Sequence, residues 1–350
     1  SLKRTRRKKI KTKNRISKII IFGLLALALG AFGGAIVCLL LKIMNLGITL
    51  LWEIIPAVSG LSGWLYNLIV CLAGGLLIAL WQKRYGLLPD NMEQVMGSIK
   101  KNGTYPYNNL HIVSIAALLP LIFGGALGPE AGLTGIIVGI CCFIGDNLKY
   151  RGEEVRALME CGITATLGII FNAPFFGIAA VLEPDPDENE TYKKKLVSKK
   201  ARIYIYIMGV SGGLLAMLGI SSILGSSGGL PRFEAYHTFD MSAWIWFIPL
   251  VAAGLTLSII YSALHKFTDF IGRKLINRRI ISCLLAGVIL AIVGAWQPLA
   301  MFSGESQLEI LISNWESMTV VTLLLLAVCK IFLLNFCLGL GWRGGDIFPL

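Results

Sequence analysis

The chain reads as an all-α, polytopic membrane protein whose helices are tilted and in places discontinuous. Three observations predict this. Of its 350 residues, 55% are hydrophobic and only 15% charged, where a soluble domain of similar size carries about 25% charge. Long stretches lack any charge: Ile19–Leu41, Ile54–Gln82, Leu110–Pro129, Ile203–Pro231 and Met241–Leu264. The first, at about 1.5 Å per helical residue, is longer than the roughly 30 Å hydrocarbon core of a bilayer. Third, glycine is abundant (39 residues) and often paired, which suits helices packed closely in lipid. Where glycine meets proline inside an apolar run, it predicts a broken helix, tolerable only within protein or along a watery cavity.

Taken in order, residues 1–18 form a basic tail, "SLKRTRRKKIKTKNRISK", with ten Lys and Arg and no acid. It supplies ten of the twelve net positive charges. Because it abuts a span, it reads as a cytoplasmic topology signal touching anionic headgroups rather than as a nucleic-acid site. A first set of spans begins at Ile19. It is interrupted at "RYGLLPDN", where Pro89 and then Asp90 should open a short polar-faced helix presenting amides from Gly86 to Leu88. The loop "KKNGTYPYNN" (100–109) separates two further apolar segments. The run Cys161–Leu182 is divided by Asn172 and Pro174. The polar loop Glu183–Lys200 ends in lysines and is expected on the cytoplasmic side, and residues 225–240 read as the connector between two halves.

The halves echo one another. Each runs from a set of spans to a Gly/Pro-rich break carrying an acid, "GPEAG" at 128–132 and "GGDIFP" at 344–349. Residues 19–230 are therefore expected to form a first membrane repeat, and 231–350 a second that stops just after its break, as a fragment would. Such repeats with mid-membrane breaks belong to transporters and channels.

The carboxylate in the first break carries the chemistry. In "GALGPEAG", Pro129 suits the first helical position, and Glu130 and Ala131 follow with amides that lack an intrahelical partner. The positive end of that helix favours an anion, either the carboxylate or a free ion competing for its place. The plainer reading, a carboxylate capping a helix at a water interface, weighs as much on composition alone.

Several classes are excluded or left without support. The eight cysteines sit in or beside apolar runs with no C-x-x-C spacing, and read as buried hydrophobes. His111, His237 and His265 are isolated. No metal cluster, cofactor motif or nucleophile–base pair stands out, so no enzyme activity, metal or cofactor is expected. Glu305 reads as a loop acid near the membrane surface, and Lys330, the only cation in its span, remains without an assigned role.

The order of these segments resembles the CLC family of voltage-gated chloride channels and chloride/proton antiporters. "FNAPFFGIAAVLE" (171–183) is similar to that family's Phe-Asn-Ala-Pro segment, and "LGPEAG" to its Gly-Arg/Lys-Glu-Gly-Pro segment. "GGDIFP" resembles its Gly-x-Phe-x-Pro segment, and "YGLLP" sits where Gly-Ser-Gly-Ile-Pro would fall. The likeness spans about residues 19–350. It implies inverted-topology repeats, a homodimer, and one anion pathway per subunit. It further implies Glu130 as the gating glutamate, with amides of Gly86, Leu87, Leu88, Ala131, Ile347 and Phe348 lining the ion sites. Chloride or another small anion is the implied substrate, with protons as a candidate second one.

Departures from the family pattern carry their own expectations. The expected anion-binding serine is Gly86, and the basic residue before the gating acid is Pro129. Glu183 aligns beside the position of the internal proton-transfer acid, which is itself Pro184 and cannot relay a proton. Arg343 and Asp346 are extra charges at the second break. Either Arg343 restores a positive vestibule, or the two brace the loop as an ion pair. Glu183, Arg343 and Asp346 are thus the candidates for a proton path or vestibule. The leading expectation is an anion permease in the plasma membrane, passive or proton-coupled. A chloride/proton antiporter and a non-conducting scaffold or sensor of the same fold are the alternatives.

Overall fold

A computed structural model describes residues 2–148, 153–182, 199–224 and 241–349. Helices account for nearly all of it, and no strand forms among the described residues beyond one pair of bridging residues, Gly128 and Gly345. The helices are α1 (Leu2–Thr49), continued by a π turn (Leu50–Ile54) into α2 (Ile55–Ser59), α3 (Trp64–Tyr85), α4 (Met92–Asn102) and α5 (Leu110–Ile122). Then come α6 (Glu130–Asn147), α7 (Glu153–Ile170), α8 (Pro174–Leu182) and α9 (Lys199–Leu224). The chain continues through α10 (Phe247–Lys274), α11 (Arg279–Trp296), α12 (Glu305–Asn314) and α13 (Val320–Gly339). Seven helices among the described residues are long and apolar enough to cross a membrane. The all-α, polytopic expectation is met.

Contacts divide the chain into two compact units that interleave along the sequence. The first holds Ser1–Lys42, Met92–Leu110 and Leu133–Gly229. There α1 and α9 approach until the backbones at Gly30 and Gly209 touch, so that a Cβ at Gly30 would overlap the Gly209 carbonyl. A buried polar knot joins α7 to α9. Glu160 accepts from Arg156 Nε at 2.9 Å, from Arg202 Nη2 at 2.5 Å, and from the Tyr206 hydroxyl.

The second unit holds Ile43–Asn91, His111–Gly132 and Leu230–Leu350. Its centre is the packing of α3 on α11, where Gly75 lies against the Cys283 carbonyl and Gly287 against that of Cys71. Trp342, fully buried, anchors the loop after α13 by donating from Nε1 to the Cys283 carbonyl at 3.0 Å.

Local chemistry adjusts the expected boundaries. The first span is longer than its uncharged stretch, running Ile19–Ser59, because two charges, Lys42 and Glu53, do not stop a helix that is otherwise mostly apolar. The stretch Ile54–Gln82 is interrupted at Gly60–Gly63, and Leu110–Pro129 stops at Ile122 before Gly124 (φ +88°). The break before Pro174 forms as predicted, with Asn172 at φ +48° between α7 and α8. The helix expected to open at Pro89–Asp90 begins instead at Met92. All eight thiols are free, and six of them are buried.

Candidate functional site

The site is built where two helix breaks of the second unit meet. The first break follows α5. Gly125 donates its N–H back to the Pro120 carbonyl at 2.8 Å, and Gly124 offers its own carbonyl to the Phe302 amide at 3.1 Å. The chain then bends, with the Leu127 N–H donating to the Gly125 carbonyl at 2.8 Å, and α6 starts at Glu130. The second break follows α13. Leu340 and Gly341 are held by side chains of two other helices: Ser282 Oγ donates to the Leu340 carbonyl at 2.8 Å, and Gln82 Nε2 to the Gly341 carbonyl at 2.5 Å.

The breaks are joined directly. Gly128 N–H donates to the Gly345 carbonyl at 2.8 Å, and Gly345 N–H donates to the Gly128 carbonyl at 2.7 Å. Glu130, with no exposed surface, turns its side chain across this junction. Its Oε1 accepts from the amides of Ile347 at 2.9 Å and Phe348 at 3.0 Å. Its Oε2 has no hydrogen-bond partner among the described residues. A Cβ on Gly128 would overlap Oε2, and one on Gly345 would overlap the carboxyl carbon, so only glycine leaves room for the carboxylate here. Chemically, this is a carboxylate from the start of α6 seated on two successive backbone N–H groups of the second break, a concavity of the kind that binds a small anion.

The other expected site residues lie as follows. Ala131 is buried in the first turn of α6 beside Glu130. Gly86 and Leu88 have less to offer than expected. Gly86 N–H caps α3 by donating to the Gln82 carbonyl at 2.9 Å, and Leu88 N–H closes a turn on the Gly86 carbonyl at 3.1 Å. The tight turn after α3 engages both of these amides. Leu87 is exposed. Glu183 lies outside the described residues.

Arg343 and Asp346 do not form an ion pair. Asp346 Oδ2 accepts from the Tyr261 hydroxyl of α10 at 3.0 Å. Arg343 instead shares its electrostatic surroundings with Asp90 and Arg279, and lines a small cavity with Gln82, Leu88 and Pro120. The partner of Asp346 comes from a helix remote in sequence and cannot be read from the loop.

Two further features had no sequence signal beyond an isolated charge. Lys330 Nζ donates to the carbonyls of Met301 and Phe302 at 3.1 and 2.6 Å, tying α13 to the turn that also holds Gly124. Tyr261, which receives no mark from periodicity, is placed against the second break, its ring stacked on His265 four residues on.

Comparison with known proteins agrees with this architecture. The sequence profile of the family described as "Voltage gated chloride channel" matches residues 74–350. The "Putative ion-transport protein YfeO" of Escherichia fergusonii is 26% identical over 347 residues, covering 96% of this chain and 77% of that protein. Its namesake from Shigella flexneri is 25% identical over 346 residues, with the same coverage. Among solved structures, a slow cyanobacterial Cl-/H+ antiporter superposes with a TM-score of 0.77 at 19% identity, covering 94% of this chain and 76% of that one. A CLC-type fluoride/proton antiporter gives 0.67 at 18% identity, covering 95% and 78%. With the profile matching more than half of its length and the fold shared throughout, this chain belongs to the voltage-gated chloride channel (CLC) family of anion transporters.

Proposed function

We propose that the protein moves chloride or another small anion through a pathway that the Glu130 carboxylate closes. One observation carries the reading: Oε1 occupies the two amides, Ile347 and Phe348, that would otherwise receive a partly dehydrated anion. Charge-assisted bonds of this type are about twice as strong as neutral ones. A free anion must therefore displace the carboxylate, or a proton must neutralise it. Ala131, next in the first turn of α6, supplies a further amide to the vacated place. Gly86 and Leu88 contribute little, because their amides are engaged within the turn. Arg343, near Arg279, adds positive charge that draws anions toward the junction.

A proton-coupled form of the same reading is supported by the likeness of fold to two structures described as proton antiporters. Ten basic residues ahead of the first span support a cytoplasmic N-terminus in a plasma membrane. Family kinship supports a homodimer, each subunit with its own pathway.

Anion efflux from liposomes carrying the purified protein tests this, with Glu130→Gln and Glu130→Ala beside wild type. Faster efflux in the variants, Ala above Gln, is expected. Unchanged efflux in both would sink the gate. Reversal potential under a pH gradient separates passive flow from coupling.

A further inference from the structure

The turn between α10 and α11 reads "GRKLINRR" at 272–279 and carries Arg273, Lys274, Arg278 and Arg279. It is tight: the Leu275 N–H donates to the Ile271 carbonyl at 3.1 Å, and the Arg278 N–H to the Leu275 carbonyl at 2.8 Å. The end of α3 arrives at the same place. α3 and α11 pack antiparallel, Gly75 lying against Cys283 and Gly287 against Cys71. Lys83 and Arg84, in the last turn of α3, therefore come level with the start of α11. Gln82 Oε1 and Arg279 Nη1 both lie beside Gly341, 3.7 and 3.8 Å from where its Cβ would stand.

Helix ends account for only part of this charge. Lys83 and Arg84 close α3, and Arg273 and Lys274 close α10, where the negative end of a helix favours cations. Arg278 and Arg279 stand at the opposite kind of end. They open α11, whose positive end repels them, and the Arg278 side chain gives its first amides no cap. Neighbouring acids do not compensate. Asp269 pairs with Arg273 at 3.7 Å, and Asp90 lies within electrostatic reach of Arg343, which offsets it. Lys83, Arg84, Lys274, Arg278 and Arg279 form no ion pair among the described residues. Two cations placed against a helix start, beside uncapped amides, require an anion there.

The surroundings select the kind of anion. Lys274 Nζ lies 4.2 Å from the centroid of the exposed Phe270 ring, and Arg84 Cζ lies 5.4 Å from that of exposed Tyr85. Basic side chains laid on exposed rings belong at the headgroup level of a bilayer. Phe267, Ile276 and Ile281 continue the exposed apolar surface beside them. A free phosphate would meet the charge alone, whereas an amphiphile also covers these side chains. We propose that the α10–α11 turn and the end of α3 form a docking site for the phosphate headgroup of an anionic phospholipid. With the N-terminus in the cytoplasm, the first span crosses outward and α3 returns, so the site faces the cytoplasmic leaflet; this clause alone rests on that orientation. The headgroup braces the helix ends that hold the second break. Gln82 donates to the Gly341 carbonyl and Ser282 to that of Leu340, each within one helical turn of a cation of the site.

The test titrates the purified chain in detergent with dioctanoyl phosphatidylglycerol, dioctanoyl phosphatidylcholine or inorganic phosphate while the unfolding temperature is followed. Phosphatidylglycerol is expected to raise it, less so in added salt, and the other two to leave it in place. Lys274→Gln with Arg278→Gln should need at least about tenfold more phosphatidylglycerol for the same rise. Both residues are exposed, so this double variant should fold. Lys274→Arg with Arg278→Lys keeps the charge and should respond as wild type does. Lys11→Gln with Lys13→Gln removes the same charge from the basic tail and should also respond as wild type. In liposomes with and without phosphatidylglycerol, wild-type efflux should depend on the lipid, and efflux of the Lys274→Gln, Arg278→Gln variant should not. An unaltered phosphatidylglycerol response in that variant, or an equal loss in the tail variant, overturns the site. Equal stabilisation by inorganic phosphate overturns the lipid as its occupant. Binding without lipid-dependent efflux overturns the bracing of the second break. None of these outcomes bears on Glu130 as the gate, which its own substitutions test.

Discussion

The Glu130 carboxylate accepts the Phe348 amide at 3.0 Å across 218 residues of sequence. Two helix breaks, each unremarkable as a Gly/Pro interruption, thereby become one site. An acid that a bilayer should exclude is accommodated by backbone N–H groups rather than by a cation.

If the carboxylate is the obstacle, shortening the side chain should matter more than neutralising it. Glu130→Gln retains an oxygen that can accept from Ile347 and Phe348, though more weakly, and Glu130→Ala retains none. Efflux should rise in the order wild type, Gln, Ala, with pH dependence flattened in both variants. Efflux of the Ala variant no faster than wild type would remove Glu130 from the gate.

Gly345→Ala places a methyl group on the Glu130 carboxyl carbon. In wild-type background this should expel the carboxylate and raise efflux, at a cost of about 1–3 kcal/mol from overpacking. Combined with Glu130→Ala the methyl finds vacant space, so the double variant should be more stable than additivity predicts. Thermal unfolding in detergent across the four proteins measures this coupling.

Lys330→Met removes the donor for the Met301 and Phe302 carbonyls. Leaving such acceptors unpaired costs about 1–3 kcal/mol, read as a lower unfolding temperature. Because the Phe302 amide also supports Gly124 in the break that leads to Glu130, efflux kinetics should change along with stability. Equal stability of Lys330→Met and wild type would show that water replaces the ammonium.

Glu160→Ala leaves Arg156 and Arg202 buried without their shared acceptor. Removing one member of a buried ion pair costs about 3–5 kcal/mol, so this variant should express poorly or unfold early. Glu160→Gln, which can still accept hydrogen bonds, should lose less. Similar unfolding temperatures for the two would mean that packing rather than charge holds α7 to α9.

Part of this was legible in the chain alone. Uncharged length announced the spans, because lipid admits little else. Proline beside Asn172 announced the break between α7 and α8, since proline removes an amide and obstructs the preceding turn. Glu130 stood out because a charge in an apolar run needs a reason. The rest depended on partners remote in sequence. Nothing near Asp346 indicates Tyr261, and nothing near Lys330 indicates two carbonyls beyond α11. Nor does "YGLLP" reveal that Gly86 and Leu88 spend their amides on a turn, for the motif is the same whether those N–H groups face a ligand or a carbonyl. Residue types locate a charge, but packing between helices selects its counterpart.

The reciprocal bonds between Gly128 and Gly345 have a mechanical meaning. They rivet the start of α6 to the loop whose amides grip the carboxylate, so the donor and acceptor platforms cannot drift apart without rupturing both bonds. If Glu130 is the gate, opening at this point is a torsional event, a rotation about the bonds of one side chain while the two backbone bonds hold. A gate of that kind should leave the surrounding amide-exchange protection unaltered whether it is open or shut.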